Sequence, residues 1–107
     1  MPYFLVQLAY TDKAWAAMVR HPQNRLESVR PAVQGLGGNF VFKAMAFGEY
    51  DVVAIVDMPN NVSAAAFSMA VSAGGAVRTL KTTPLMTMEE SVEAMKRAGQ
   101  APYKPPE

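Results

Sequence analysis

Cysteine is absent from the 107 residues, and histidine occurs once, at His21. Without thiols there is no disulfide framework, no thiolate metal site and no cysteine nucleophile, and one imidazole excludes a histidine cluster. Neither a metal site nor a cofactor is expected. Charged residues make up only 18% of the chain and the formal net charge is +1. Lys and Arg are scattered without a run, so the electrostatic footprint that tracks phosphates is missing and nucleic acid is not an expected partner. Long apolar runs are missing too. The longest uncharged stretch, Met58 to Val77, is interrupted by Pro59, Asn60, Asn61, three serines and Gly74-Gly75, which does not suit a bilayer. Met1-Pro2-Tyr3 carries no basic region of the signal-peptide kind. The expectation is a soluble, cytoplasmic protein with no membrane partner.

Half of the residues are hydrophobic, enough for one small core in a chain of this size. A single domain over residues 1–98 with a flexible tail over 99–107 is expected, the tail being rich in proline. So few charges on so small a chain imply apolar surface that meets another subunit.

The run Val52-Val53-Ala54-Ile55-Val56 follows Gly48-Glu49-Tyr50-Asp51 and closes at Pro59. It is short, β-branched and lacks spaced polar positions, which predicts a central strand covered on both faces. Phe4 to Tyr10 reads as the first strand. Thr11 or Asp12 can cap a helix with Trp15, Met18 and Val19 on one face. His21-Pro22 interrupts it, and Pro22 suits the first turn of a second helix carrying Leu26, Val29 and Val33. Pro31 predicts a bend or an early end to that helix.

Asn39 to Phe47 reads as the second strand, joined to the central one by a tight type II′ turn at Gly48-Glu49. Asn60 or Asn61 can cap an uncharged helix from about Val62 to Ala73, ended by Gly74-Gly75. Ala76 to Met86 reads as an edge strand, and Thr87-Met88-Glu89-Glu90 has capping-box spacing for a final helix with Met88, Val92 and Met95 on one face.

This order predicts an α+β domain: a ferredoxin-like split βαβ sandwich, with a four-stranded antiparallel sheet, two main helices on one face and an extra C-terminal helix. Aligning Tyr3–Leu8 with Tyr50–Ile55 places Phe4, Val6, Leu8, Val53 and Ile55 against the helices. Leu5, Gln7, Ala9, Val41, Lys43, Met45, Val52, Ala54 and Val56 would then form an open face. Such a face predicts packing against a second copy, in an assembly of the dimeric α+β barrel type.

The segments Met1-Pro2-Tyr3-Phe4-Leu5-Val6, Tyr10-Thr11-Asp12, Leu36-Gly37-Gly38 and Phe47-Gly48-Glu49-Tyr50-Asp51-Val52-Val53 resemble those of GYD-domain proteins. The resemblance spans roughly residues 1 to 90, and Gly-Glu-Tyr-Asp is its most specific part. It implies a ferredoxin-like α+β fold that assembles with its own copies, in a family without an established activity, and it brings no catalytic residues. Pro31 and the tail after Gly99 depart from the family's usual pattern.

No specific activity follows from the residues, and no catalytic residue is assigned. The candidate ligand pocket comprises Gln7, Lys43, Tyr50 and Asp51. Tyr50 and Asp51 can present a phenol and a carboxylate to a small acidic molecule, although a carboxylate beside a turn more often accepts backbone N–H groups. Lys43 on an apolar face needs an acidic partner, or it guards a sheet edge from pairing. His21 can act as a base near neutral pH, or simply end a helix. Two functions remain: a homo-oligomeric module that binds a small molecule or a partner protein, or a cofactor-free enzyme, monooxygenase- or isomerase-like, using a pocket over the open sheet face.

Overall fold

The computed structural model describes all 107 residues. The elements run β1 (Tyr3–Tyr10), α1 (Asp12–Arg20), α2 (Arg25–Gly35), β2 (Asn39–Met45), β3 (Val52–Asp57), α3 (Asn61–Ala73), β4 (Val77–Pro84) and α4 (Met88–Gln100). The strands form one four-stranded sheet in the order β2-β3-β1-β4, antiparallel throughout. Each crossover skips one strand, the split βαβ arrangement of a ferredoxin-like fold. The apolar strands β1 and β3 take the centre, and β2 and β4, which carry the strand lysines, take the edges.

Local chemistry sets the helix starts. The Thr11 hydroxyl accepts the Ala14 N–H, Asn24 accepts from Glu27 and Asn60 accepts from Ser63. Thr87 and Glu90 form a reciprocal capping box. The helix from α2 therefore begins at Arg25, three residues after Pro22. It also continues through Pro31 to Gly35: Pro31 is exposed, so water can take up the carbonyl that loses its N–H partner.

The core lies between the sheet and α2 and α3. Phe4, Val6 and Val56 pack with Val33, Ala64 and Phe67, and Leu8, Tyr10 and Val52 form a second cluster against Trp15 and Leu26. These contacts reverse the facing expected for β3. Phe4 lies opposite Val56, Val6 opposite Ala54 and Leu8 opposite Val52, so those residues point to the helices. Val53 and Ile55 join Leu5 and Gln7 on the open face. An alignment of two strands by residue type carries no information about antiparallel register, and a slip of one residue exchanges the faces.

In β2 the register shifts between Phe40 and Phe42, leaving Val41 as an extra residue. Phe42 and Ala44, opposite Ile55 and Val53, therefore face the open side, and Lys43 and Met45, opposite Ala54 and Val52, face the helices. The connection from β2 to β3 is also longer than a type II′ turn. It spans residues 46–51, the Ala46 N–H donates to the Asp51 carbonyl at 2.7 Å, and Gly48 is not among the glycines with positive φ.

The C-terminal helix α4 buries no residue, leaving Met88, Val92 and Met95 exposed. The molecule measures 57 × 34 × 22 Å. No helix is long and apolar enough to cross a membrane.

Candidate functional site

A cavity of about 250 Å³ lies between the sheet, α2 and α3. Val6, Leu8, Val52 and Ala54 form its floor, Leu26 and Val29 one wall, and Phe67 and Val71 the other. Small residues make the room. Ala32 on α2, Ala54 on β3, and Ala70 and Gly74 along and just beyond α3 line it, where branched side chains would otherwise close the packing. Fourteen of its 17 lining residues are hydrophobic, which suits an apolar body oriented by a few polar groups.

Besides Ser28, two polar residues line the cavity, and they stand at one end. Tyr10 and Arg25 line this cavity, and also a neighbouring one of about 370 Å³ with Gln23, Asn24 and Lys43 in its walls. Leu26 and Val52 are common to both, so the two spaces adjoin.

Tyr10 is the last residue of β1 and only 5% exposed. Its ring meets Trp15 edge-on, with centroids 5.5 Å apart and planes at 82°. Its backbone N–H donates to Asp51 Oδ2 at 2.9 Å. Burial pushes the phenol pKa up, the Arg25 charge opposes the rise and Asp51 adds to it. The phenol is thus neutral near pH 7 and serves as a hydrogen-bonding group rather than a base.

Arg25 stands in the first turn of α2, directly after the Asn24 cap. Two nearby cations are already paired: Arg30 lies 2.8 Å and Lys43 3.0 Å from the same Glu27 oxygen. Hydrogen bonds from Arg30 and then Lys43 hold the Glu27 carboxyl down at about 2. The Lys43 ammonium also sits 5.3 Å from the centroid of the Phe40 ring. Arg25 has no carboxylate within 4.0 Å.

The four residues proposed from sequence do not converge. Gln7 lies on the open face between Val53 and Lys81. Lys43 is on the helix side, joined to Glu27. Tyr50 is half-buried in the connection before β3. Asp51 Oδ2 accepts the Trp15 indole N–H at 3.2 Å as well as the Tyr10 N–H, so its carboxylate organises the end of the sheet. His21 is exposed and ends α1. Three or more His, Cys, Asp or Glu side chains nowhere gather as a metal site requires.

Sequence reasoning missed Tyr10 and Arg25. The alternation of β1 puts Tyr10 on the same side as Phe4, Val6 and Leu8, which was legible. Placing Arg25 beside it depends on where α2 starts, and the signal for that is Asn24 followed three residues later by Glu27.

The family model described as the GYD domain matches residues 4–95. None of the curated proteins matches the chain.

Proposed function

This chain belongs to the GYD-domain family, and from that premise we propose that it is a self-associating module that holds a small apolar molecule between α2, α3 and the sheet. The observation that carries this reading is the cavity of about 250 Å³ with its largely hydrophobic lining. A dry cavity of about 150 Å³ accepts benzene, so the volume here suits a somewhat larger body. Self-association is supported by the open sheet face, where Leu5, Val53, Ile55 and Phe42 lie together, and by the uncovered apolar stripe of α4. A second copy is the natural cover for such a face, and a cytoplasmic setting fits a cysteine-free domain.

Turnover over the open face is not favoured. Lys43 lies on the opposite side and the Asp51 carboxylate already accepts two N–H groups.

The test is a titration with 2-naphthol followed by its own fluorescence. Saturable binding of one molecule per chain is expected, and Ala54→Leu, which adds side-chain volume at the cavity floor, abolishes it with the circular dichroism spectrum unchanged. Absence of saturable binding to the unmodified protein would overturn the reading.

A further inference from the structure

We propose that the ligand of this cavity is an apolar monocarboxylate, its chain or ring lying between α2 and α3 and its carboxylate bound by the Arg25 guanidinium and the Tyr10 hydroxyl. The inference rests on the cavity reading above and adds the class of head group.

Three observations converge on it. The first is polarity: apart from Ser28, the polar side chains lining the cavity are Tyr10 and Arg25, and these two are shared with the adjoining space, where Gln23, Asn24 and Lys43 join them. A ligand matching that distribution has one apolar and one polar end.

The second is charge. Arg30 and Lys43 converge on a single acid, Glu27, so both positive charges are tied to one carboxylate. Arg25 is left without an acidic partner, at the mouth of a low-dielectric space. Asp51, the carboxylate whose charge acts on the Tyr10 phenol, is engaged with Tyr10 N–H and the Trp15 indole. The end of the cavity therefore favours an anion over a cation, and a guanidinium meets a carboxylate with two parallel N–H donors.

The third is the state of the phenol. Tyr10 is a phenol, protonated near neutral pH at its ordinary value of 10.0, and burial raises that value further, so its O–H donates to a carboxylate instead of repelling it. The Tyr10 backbone N–H and the ring edge are fixed by Asp51 and Trp15, which sets the hydroxyl in place before any ligand arrives. Preorganisation of this kind favours affinity because little side-chain freedom remains to be lost.

The experiment compares octanoate with its neutral isostere octanamide by isothermal titration calorimetry on the full chain. The unmodified protein is expected to bind octanoate about 10- to 100-fold more tightly, the range for one charge-assisted contact. In Arg25→Gln the two affinities become equal through loss of octanoate affinity, with octanamide unchanged. Tyr10→Phe weakens octanoate several-fold, and Lys43→Gln leaves the preference in place. Circular dichroism and thermal melting confirm that each variant is folded. Equal binding of the two compounds to the unmodified protein, or a preference that survives Arg25→Gln, overturns the carboxylate assignment. In that event octanamide binding that is lost in Ala54→Leu still upholds the cavity. If neither compound binds the unmodified protein the carboxylate assignment falls, and the cavity reading falls with it only if 2-naphthol does not bind either.

Discussion

Trp15 donates its indole N–H to Asp51 Oδ2 at 3.2 Å, across 36 positions of sequence. The same oxygen accepts the Tyr10 backbone N–H, so one carboxylate ties α1 and the end of β1 to the start of β3. Hydrogen bonds to a charged group contribute about 1.5–3 kcal/mol, and an abandoned donor adds a desolvation cost. Asp51→Ala is expected to lose about 2–3 kcal/mol in urea denaturation. Trp15→Phe keeps an aromatic side chain and the Tyr10 bond, and should lose about 1–2 kcal/mol through the missing N–H donor and the smaller ring. Equal stability of Asp51→Ala and the unmodified protein would contradict a structural role.

Two glycines at the end of α2 should respond in opposite directions. A Cβ on Gly38 would come within 2.5 Å of the Asp57 carbonyl oxygen and of Met58 Sδ, whereas one on Gly35 meets nothing within 4 Å. Met58 is fully buried and cannot withdraw. Gly38→Ala is expected to destabilise by about 2–3 kcal/mol through overpacking. Gly35→Ala, at the last position of the helix, should stabilise by about 0.5 kcal/mol. Paired thermal melts of the two variants give the sign of each.

Glu27 fixes a pH dependence. Its carboxyl is lowered from 4.5 to about 2 by Arg30 and Lys43. A depressed carboxyl contributes stability that is complete above its unfolded value and is lost as pH falls through the folded one. Stability should therefore decline between about pH 4.5 and pH 2, modestly, because the carboxylate is exposed. Carboxyl carbon shifts read by NMR should titrate near 2 for Glu27, and the double variant Arg30→Gln/Lys43→Gln should bring the midpoint back toward 4.5.

Self-association through the sheet should be sensitive to a single charge at its centre. Ile55 lies on the open face between Leu5 and Phe42. Ile55→Arg is expected to give a folded monomer in analytical ultracentrifugation at concentrations where the unmodified chain forms oligomers. An unmodified chain that sediments as a monomer at high micromolar concentration would remove the open face as an interface.

Much of this molecule was written locally. Thr11, Asn60 and Thr87 cap helices because short oxygen-bearing side chains satisfy exposed N–H groups, whatever the distant structure does. The Val52–Val56 run becomes a central strand because its β-branched residues suit a pleated, paired backbone, although helices cover only one of its two faces. Facing was not legible in the same way, since it depends on register, and nothing in Phe40-Val41-Phe42 marks the middle residue as unpaired. The conformation of residues 46–51 eluded the Gly48 signal for a related reason: a glycine permits positive φ without requiring it. The Tyr10–Arg25 pair needed both the strand parity and the true start of α2.

The extra residue at Val41 is a point of slack in β2. Upstream of it, Phe40 joins the core side, and downstream Lys43 and Met45 do so, an odd interval that regular alternation forbids. A substitution in this strand alters one side chain. Deleting Val41 would remove only the bulge: Phe40 and Phe42 already occupy successive ladder positions opposite Val56 and Ile55, so Phe42 stays on the open face and Lys43 and Met45 stay on the helix side. Loss of one residue at the bulge should therefore be tolerated in this family member, whereas a residue inserted between Phe42 and Lys43 would turn Lys43 and Met45 toward the open face.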